Sequence, residues 1–317
     1  MSIILITGSS TGLGYTTAET LARNGHTVYA TMRNPQRSPQ LQRVAEKDHL
    51  PINILPMDVL DDISVQTAIS SVLSKEGRID FLLNNAGIAS WGAVEELSFE
   101  FFKADMDTNY FGTVRCIKAV LPSMRERKSG CIINMSSVSG KVYGNFHSTY
   151  NASKAAVEAF SESLAQELIP FNVRVVVIQP AFIETPIFNK INEMPSDTHY
   201  PNIKRFLSMF AASLENHEST NKVADVISDI VAGKRNVFRN PVGLYAEGFL
   251  NFRNSLSDED WINSVSVSDE NWTNGMEQMG LQVRKYMEVD GLPTLTISNN
   301  FVPTNHGRSV QQKALAD

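Results

Sequence analysis

Short runs of branched apolar residues alternate with longer amphipathic stretches along most of this chain. Ile3–Thr7, Thr27–Thr31, Ile52–Pro56, Phe81–Asn84, Cys131–Met135 and Val173–Ile178 read as strands, and a seventh is expected near Asn236–Arg239. Between them, apolar residues recur at helical spacing over Gly12–Asn24, Ile63–Lys75, Phe99–Arg125 and Tyr150–Leu168, with a break expected near Asn109 and a stop at Pro170. This alternation predicts βα units and an α/β fold: a doubly wound parallel sheet with helices on both faces. Val173–Ile178, almost continuously branched, should be covered on both sides. The Tyr150–Leu168 stretch is apolar on more than one face. One face can pack on the sheet; the other needs a second subunit or another helix of the same chain.

The alternation fails in two places, which divides the chain. Residues 1–240 form the expected dinucleotide-binding and catalytic domain, interrupted at 186–218 by an irregular, apolar-rich insertion containing Phe188, Met194, Phe206 and Met209. Following the sixth strand, it falls beyond the carboxyl ends of the strands, where open α/β sheets bind ligands, and reads as a substrate lid. Residues 241–294 read as a helical extension, with Ser257 capping a helix that opens on three acids and another helix near Gly275–Tyr286. Residues 295–317 are polar and aperiodic, as expected of a mobile or partner-contacting tail.

Composition narrows the function classes. With 42% apolar and 20% charged residues, the 317-residue chain is ordinary globular protein. A net charge of −6 gives no electrostatic reason to expect nucleic acid as a partner. No apolar run reaches the length of a membrane span, the first strand leads straight into a glycine signature without a leader's charged region, and two cysteines, Cys116 and Cys131, suit free thiols in a reducing compartment. We therefore expect a cytoplasmic protein. The six histidines show no metal-ligand spacing, and no metal is expected.

Chemistry enters at the first βα turn, Thr7-Gly8-Ser9-Ser10-Thr11-Gly12-Leu13-Gly14. Free amides at a helix start point at phosphate, and glycine lets a pyrophosphate approach the backbone. The second strand ends at Met32-Arg33, where an acid would bind a free ribose 2′-hydroxyl. Met32 cannot, whereas Arg33 can pair with a 2′-phosphate, so NADP(H) is expected over NAD(H). Asp58 and Val59, after the third strand, are placed to meet adenine.

Tyr150 and Lys154 stand four residues apart, on one face of a predicted helix. A phenol near pKa ~10 is a poor acid or base at neutral pH, but an adjacent ammonium together with an oxidised nicotinamide lowers that value. Ser137 can hold the reacting oxygen while Tyr150 exchanges a proton with it.

With Asn84-Asn85-Ala86-Gly87 and Asn109, these residues match the short-chain dehydrogenase/reductase family in identity, order and spacing over about residues 1 to 240. The resemblance implies a Rossmann-type sheet in which cofactor and substrate share one domain. It implies Ser137, Tyr150 and Lys154 as catalytic residues, with Asn109 holding a water that links Lys154 to solvent. It also implies that Lys154 binds the nicotinamide ribose, that Asn85, Ala86 and Gly87 support the cofactor, and that Pro180, Ala181, Ile183 and Thr185 flank the nicotinamide. Homodimers or homotetramers through the helices near 109–125 and 150–168 are implied too.

Strand end and extension look most like the branch containing 17β-hydroxysteroid and retinol dehydrogenases, which implies a bulky apolar carbonyl or alcohol substrate. Trp91, Val138, Tyr143, His147, Phe182 and Phe188 are the candidate pocket residues, Phe146 beside them. One departure stands out: Ala181 occupies a position that is usually glycine in the family, and its methyl would crowd the nicotinamide if that position needs positive φ. Two alternatives share the motifs: a 3-oxoacyl-thioester reductase and a non-catalytic NADP(H)-sensing protein.

Overall fold

The computed structural model describes residues 1–187, 198–293 and 295. Seven strands form one parallel sheet in the order β3-β2-β1-β4-β5-β6-β7: β1 Ile3–Ile6, β2 Thr27–Met32, β3 Ile52–Pro56, β4 Phe81–Asn84, β5 Gly130–Met135, β6 Val173–Pro180 and β7 Arg239–Val242. Strands β2 and β3 extend one way from β1, and β4 to β7 the other. The turns after β1 and β4 therefore diverge at a topological switch point, the crevice where such sheets take ligands.

The pleat explains why the strands are apolar throughout. Ile3 and Leu5 of β1 join a core with α3 (Asp62–Glu76), α5 (Gly112–Arg127) and α6 (Ser148–Leu168). Ile4 and Ile6 join a second core with α1 (Gly12–Arg23) and α8 (Thr220–Val231) on the opposite face. Strand β6 divides likewise, Val173 and Val175 to one core, Val176 and Ile178 to the other. Cys116 and Cys131 sit in different cores, and burial pushes both thiols up to about 12.

Several elements depart from the sequence pattern for identifiable reasons. Strand β7 lies three positions later than expected and contains Pro241. As an edge strand paired only with β6, it leaves that residue's missing N–H without consequence. A short helix, α2 (Gln40–Lys47), buries only Leu41 and Ala45, too little periodicity to read from sequence. The break expected near Asn109 is a π-helical turn, Met106–Phe111, joining α4 (Phe99–Asp105) to α5 without interruption.

The second half of the insertion is regular. Ile203, Phe206, Leu207 and Phe210 define the buried face of α7 (Ile203–Glu215), while residues 188–197, with Phe188, lie outside the described residues. Beyond β7 come α9 (Ala246–Asn254), α10 (Asp258–Asn263), α11 (Asp269–Gln278) and α12 (Arg284–Met287). Ser257 caps α10 as expected, its hydroxyl accepting from Asp260 N at 3.0 Å. The helix expected over Gly275–Tyr286 is instead two helices, parted where Gly280 turns to φ +94°. Of the expected tail, only residue 295 is described.

Candidate active site

One cavity of about 2390 Å³ runs from the first βα turn, past the carboxyl ends of β4, β5 and β6, to the extension. At its first end, Gly8 takes φ +70° and Gly12 φ +60°. A Cβ on Gly8 would lie 2.8 Å from Ala86 Cα, and one on Gly14 would lie 2.5 Å from Asn85 Nδ2 and 2.6 Å from Gly8 O. The β4 turn is stitched to this loop. Asn85 Nδ2 donates to Thr7 O and Gly8 O, and the Asn85 and Ala86 amides both donate to Thr7 Oγ1 at 2.9 Å.

Helix α1 begins with no side-chain cap and no acid in its first turn, so its leading amides are unclaimed and face no negative charge of their own helix. That donor set, in a turn closed to a methyl at Gly8 and Gly14, fits a pyrophosphate. Gly8, Ser10, Gly12, Leu13, Arg33, Asp58, Val59, Asn85, Ala86 and Gly87 all line the cavity. Gly14 does not: it lies under the loop and allows the close approach of helix to strand. Arg33 is exposed at the cavity edge, and no carboxylate pairs with it among the described residues.

Further along, the carboxyl ends of β5 and β6 and the start of α6 bring Ser137, Tyr150 and Lys154 to one stretch of wall, with Pro180, Ala181, Ile183 and Thr185 beside them. Ser137 Oγ donates to Pro180 O at 3.3 Å and accepts from Ser139 N at 3.1 Å. Lys154 Nζ donates to Met135 O at 2.8 Å and lies 5.5 Å from the centre of the Tyr150 ring. Asn109 is buried behind them. Its Oδ1 accepts from Ile88 N and its Nδ2 donates to Ile88 O and Ser153 Oγ, all at 2.9 Å. Its own carbonyl, inside the π turn, accepts from Thr113 Oγ1 at 2.8 Å.

Tyr150 is pushed up to about 12. Burial does most of this, the Ser137 hydroxyl opposes it, and the Asp105 carboxylate adds to it. Lys154 is pulled down to about 8 by burial, against the upward pull of Asp105 and Glu158. The protein's own groups therefore keep the phenol neutral, the form that donates a proton. Asp105 was not singled out from the sequence, yet it is fully buried and accepts from Ser90 N and Oγ at 3.2 and 3.0 Å. Burial raises its own pKa. An acid four residues before Asn109, on the same predicted helical face, was the signal available.

Ala181 resolves simply. It is not among the positive-φ residues, so its methyl carries no backbone strain, and its N–H donates to Val242 O at 2.9 Å. The left-handed conformation nearby belongs to Gly243, at φ +106°.

Trp91, Val138, Tyr143, His147 and Phe182 all line the cavity, but Phe146 does not. Phe146 holds φ +57°, costly for a bulky side chain, and its carbonyl accepts from Gly92 N at 2.9 Å. This turn lays the His147 ring on that of Tyr150, with centroids 4.6 Å apart and planes 13° from parallel. Trp91, Phe206 and Phe210 surround His147. Burial takes its pKa down to about 3, and its Nε2 is buried without a hydrogen-bond partner. The sequence placed Phe206 and Met209 of the α7 wall in the expected lid, but named no pocket residue in the extension.

The sequence model of the short chain dehydrogenase family matches residues 2–196. A 3-ketodihydrosphingosine reductase from Bacteroides thetaiotaomicron is 38% identical over 245 residues, covering 76% of this chain and 87% of that protein. Retinol dehydrogenase 8 from Bos taurus is 38% identical over 202 residues, covering 62% of this chain and 64% of that one. The crystal structure of a short-chain dehydrogenase from Streptomyces avermitilis superposes with a TM-score of 0.71 at 28% identity, covering 88% of this chain and 97% of that one. Members of this family are oxidoreductases that bind nicotinamide cofactors. The chain belongs to the short-chain dehydrogenase/reductase family.

Proposed function

We propose that this protein is an NADP(H)-dependent oxidoreductase that interconverts a carbonyl with a primary or secondary alcohol on a bulky apolar substrate. The observation that carries this reading is the convergence of Ser137, Tyr150 and Lys154 on one wall of a cavity whose far end is the Gly8–Gly12 turn. The relatives named above act, by their names, on a ketone-bearing sphingoid base and on retinol, both long and apolar.

A reduced nicotinamide, when bound, supplies the hydride that reaches the carbonyl carbon. Ser137 holds the carbonyl oxygen through its hydroxyl, and Tyr150, kept neutral by burial, delivers the proton to that oxygen. Lys154 is anchored by Met135 O, which leaves its two other protons for a ribose and for a proton relay toward Asn109. The Gly8–Leu13 turn and the Asn85–Gly87 segment take the phosphates and the cofactor body, Asp58 and Val59 the adenine. Arg33, unpaired among the described residues, supports the choice of a 2′-phosphate over a free hydroxyl.

The pH dependence follows from Lys154. Its ammonium is present below about 8 and lost above it, so carbonyl reduction is flat through neutral pH and declines as pH rises through about 8. The half-covered faces of the π turn and α6, with Phe111 47% exposed and Ala152 and Ala159 exposed, suit a second copy, and light scattering should give a dimer or tetramer. The activity itself is tested by following nicotinamide absorbance with NADPH and NADH against a panel of ketones and aldehydes. Turnover favouring NADPH is expected. Tight cofactor binding with no turnover of any carbonyl would favour the sensing protein instead.

A further inference from the structure

The cavity extends to a lobe lined by Phe252, Ile262, Val265 and Val267 of the extension, which proton and hydride transfer do not require. We propose that this lobe is an open trough for a long, unbranched, uncharged alkyl chain attached to the reacting carbonyl carbon, walled by the helical extension. This rests on the reading of Ser137 and Tyr150 above, which fixes where the carbonyl end of such a chain sits.

Size is the first argument. At about 2390 Å³ the cavity is more than twice the ~300–1,000 Å³ of an ordinary single-ligand pocket, which leaves room for an extended molecule beside a dinucleotide. The second argument is the character of the wall. Phe252 on α9, Ile262 on α10, and Val265 and Val267 in the link to α11 all line the cavity, yet remain 42%, 69%, 41% and 40% exposed. Apolar side chains left in water along one cavity mark a surface that a ligand covers. They come from successive short elements and leave one side open to solvent, a trough along which a flexible chain can lie.

Charge supplies the third argument. The two arginines of this lobe are turned to holding its wall. Arg205 donates to Asp269 Oδ1 at 2.6 Å, Val265 O at 3.0 Å and Val267 O at 2.7 Å. Arg253 donates to Leu256 O and pairs with Asp258, its guanidinium 5.6 Å from the Trp261 ring centre. With both cations engaged by the protein, the lobe favours a neutral hydrocarbon over a phosphate- or carboxylate-bearing tail.

The test is a homologous series of methyl ketones from butanone to dodecanone, assayed below their solubility limits. We expect kcat/KM to climb several-fold per added methylene at first and by at least ~100-fold across the series. In the double variant Ile262→Ser with Val265→Ser, the dodecanone-to-butanone ratio of kcat/KM falls at least ~10-fold. Both side chains are substantially exposed, and an unchanged Tm confirms an intact fold. A ratio independent of chain length, a variant ratio equal to the parent's, or a rigid polycyclic ketone outperforming dodecanone overturns the trough.

Failure of the reaction reading is separable. If no ketone turns over, quenching of Trp261 and Trp272 fluorescence by the same series still reads the lobe. Affinity that grows with chain length supports the trough without the chemistry, and affinity that does not grow overturns it.

Discussion

The two ends of the cavity are held by different physics. At the proposed cofactor end, backbone meets backbone: Gly8 and Gly14 have no space for a methyl, Asn85 and Ala86 are bonded to Thr7, and the strands beneath are buried on both faces. At the substrate end, short helices are tied by long side chains. Arg205 reaches Asp269 and the carbonyls before it, Lys285 and Tyr286 reach Glu215, and Lys204 reaches Val289 O. One of these ties, Lys285 with Glu215, is an exposed ion pair worth little in stability. A turn closed to a methyl at Gly8 and Gly14 is thus joined to a wall held by individual side chains rather than by the sheet.

The sharpest way to break that comparison is at the junction between the two ends. Tyr150→Phe removes one hydroxyl and should lower kcat about 10²–10⁴-fold with cofactor affinity nearly unchanged. Activity close to the parent's would remove Tyr150 from the chemistry. Next is the rigid end itself. Gly8→Ala places a methyl 2.8 Å from Ala86 Cα at φ +70° and should cost about 3 kcal/mol in denaturant unfolding, along with cofactor binding. A methyl accommodated without loss would contradict the backbone account.

Arg33→Ala should weaken NADPH binding about 10–100-fold, read by titration, and leave NADH binding unaltered. Equal weakening of both would reassign Arg33 to a general role. The smallest effect is expected at His147, where the apolar end begins. Its folded pKa of about 3 lies below the ordinary 6.5, so between those values the unfolded chain binds a proton that the folded one refuses, and stability is lost as pH falls through that window. At pH ~5 the handicap is about 2 kcal/mol. His147→Phe should therefore be more favourable to stability at pH ~5 than at pH ~7.5 by about that amount, measured by urea unfolding at both.

The same division explains what could be read from sequence. Short-range spacing carried the rigid end: the glycines of the first turn, Asn85–Gly87 after β4, and Tyr150 with Lys154 one helical turn apart. Six strands stand within two residues of where their apolar runs placed them, and β7, three positions late, takes in Pro241, which an edge strand tolerates. The substrate end is built from partners far apart in sequence, such as Arg205 with Val265 and Trp261 with Tyr143, for which local periodicity gives no signal. The setting of Tyr150 was only half legible for a related reason. Spacing revealed Lys154, whereas burial and the charge of Asp105, which raise the phenol, depend on packing that spacing does not specify.

The central claim, hydride delivery to a carbonyl carbon at Tyr150, is tested most directly by isotope transfer. Supplied with NADPH carrying deuterium at the transferring position of C4, and with a long-chain methyl ketone, the protein should yield an alcohol with deuterium on the carbinol carbon and a hydroxyl proton from solvent. Product alcohol lacking deuterium at that carbon, or consumption of reduced cofactor with no alcohol formed, would contradict it.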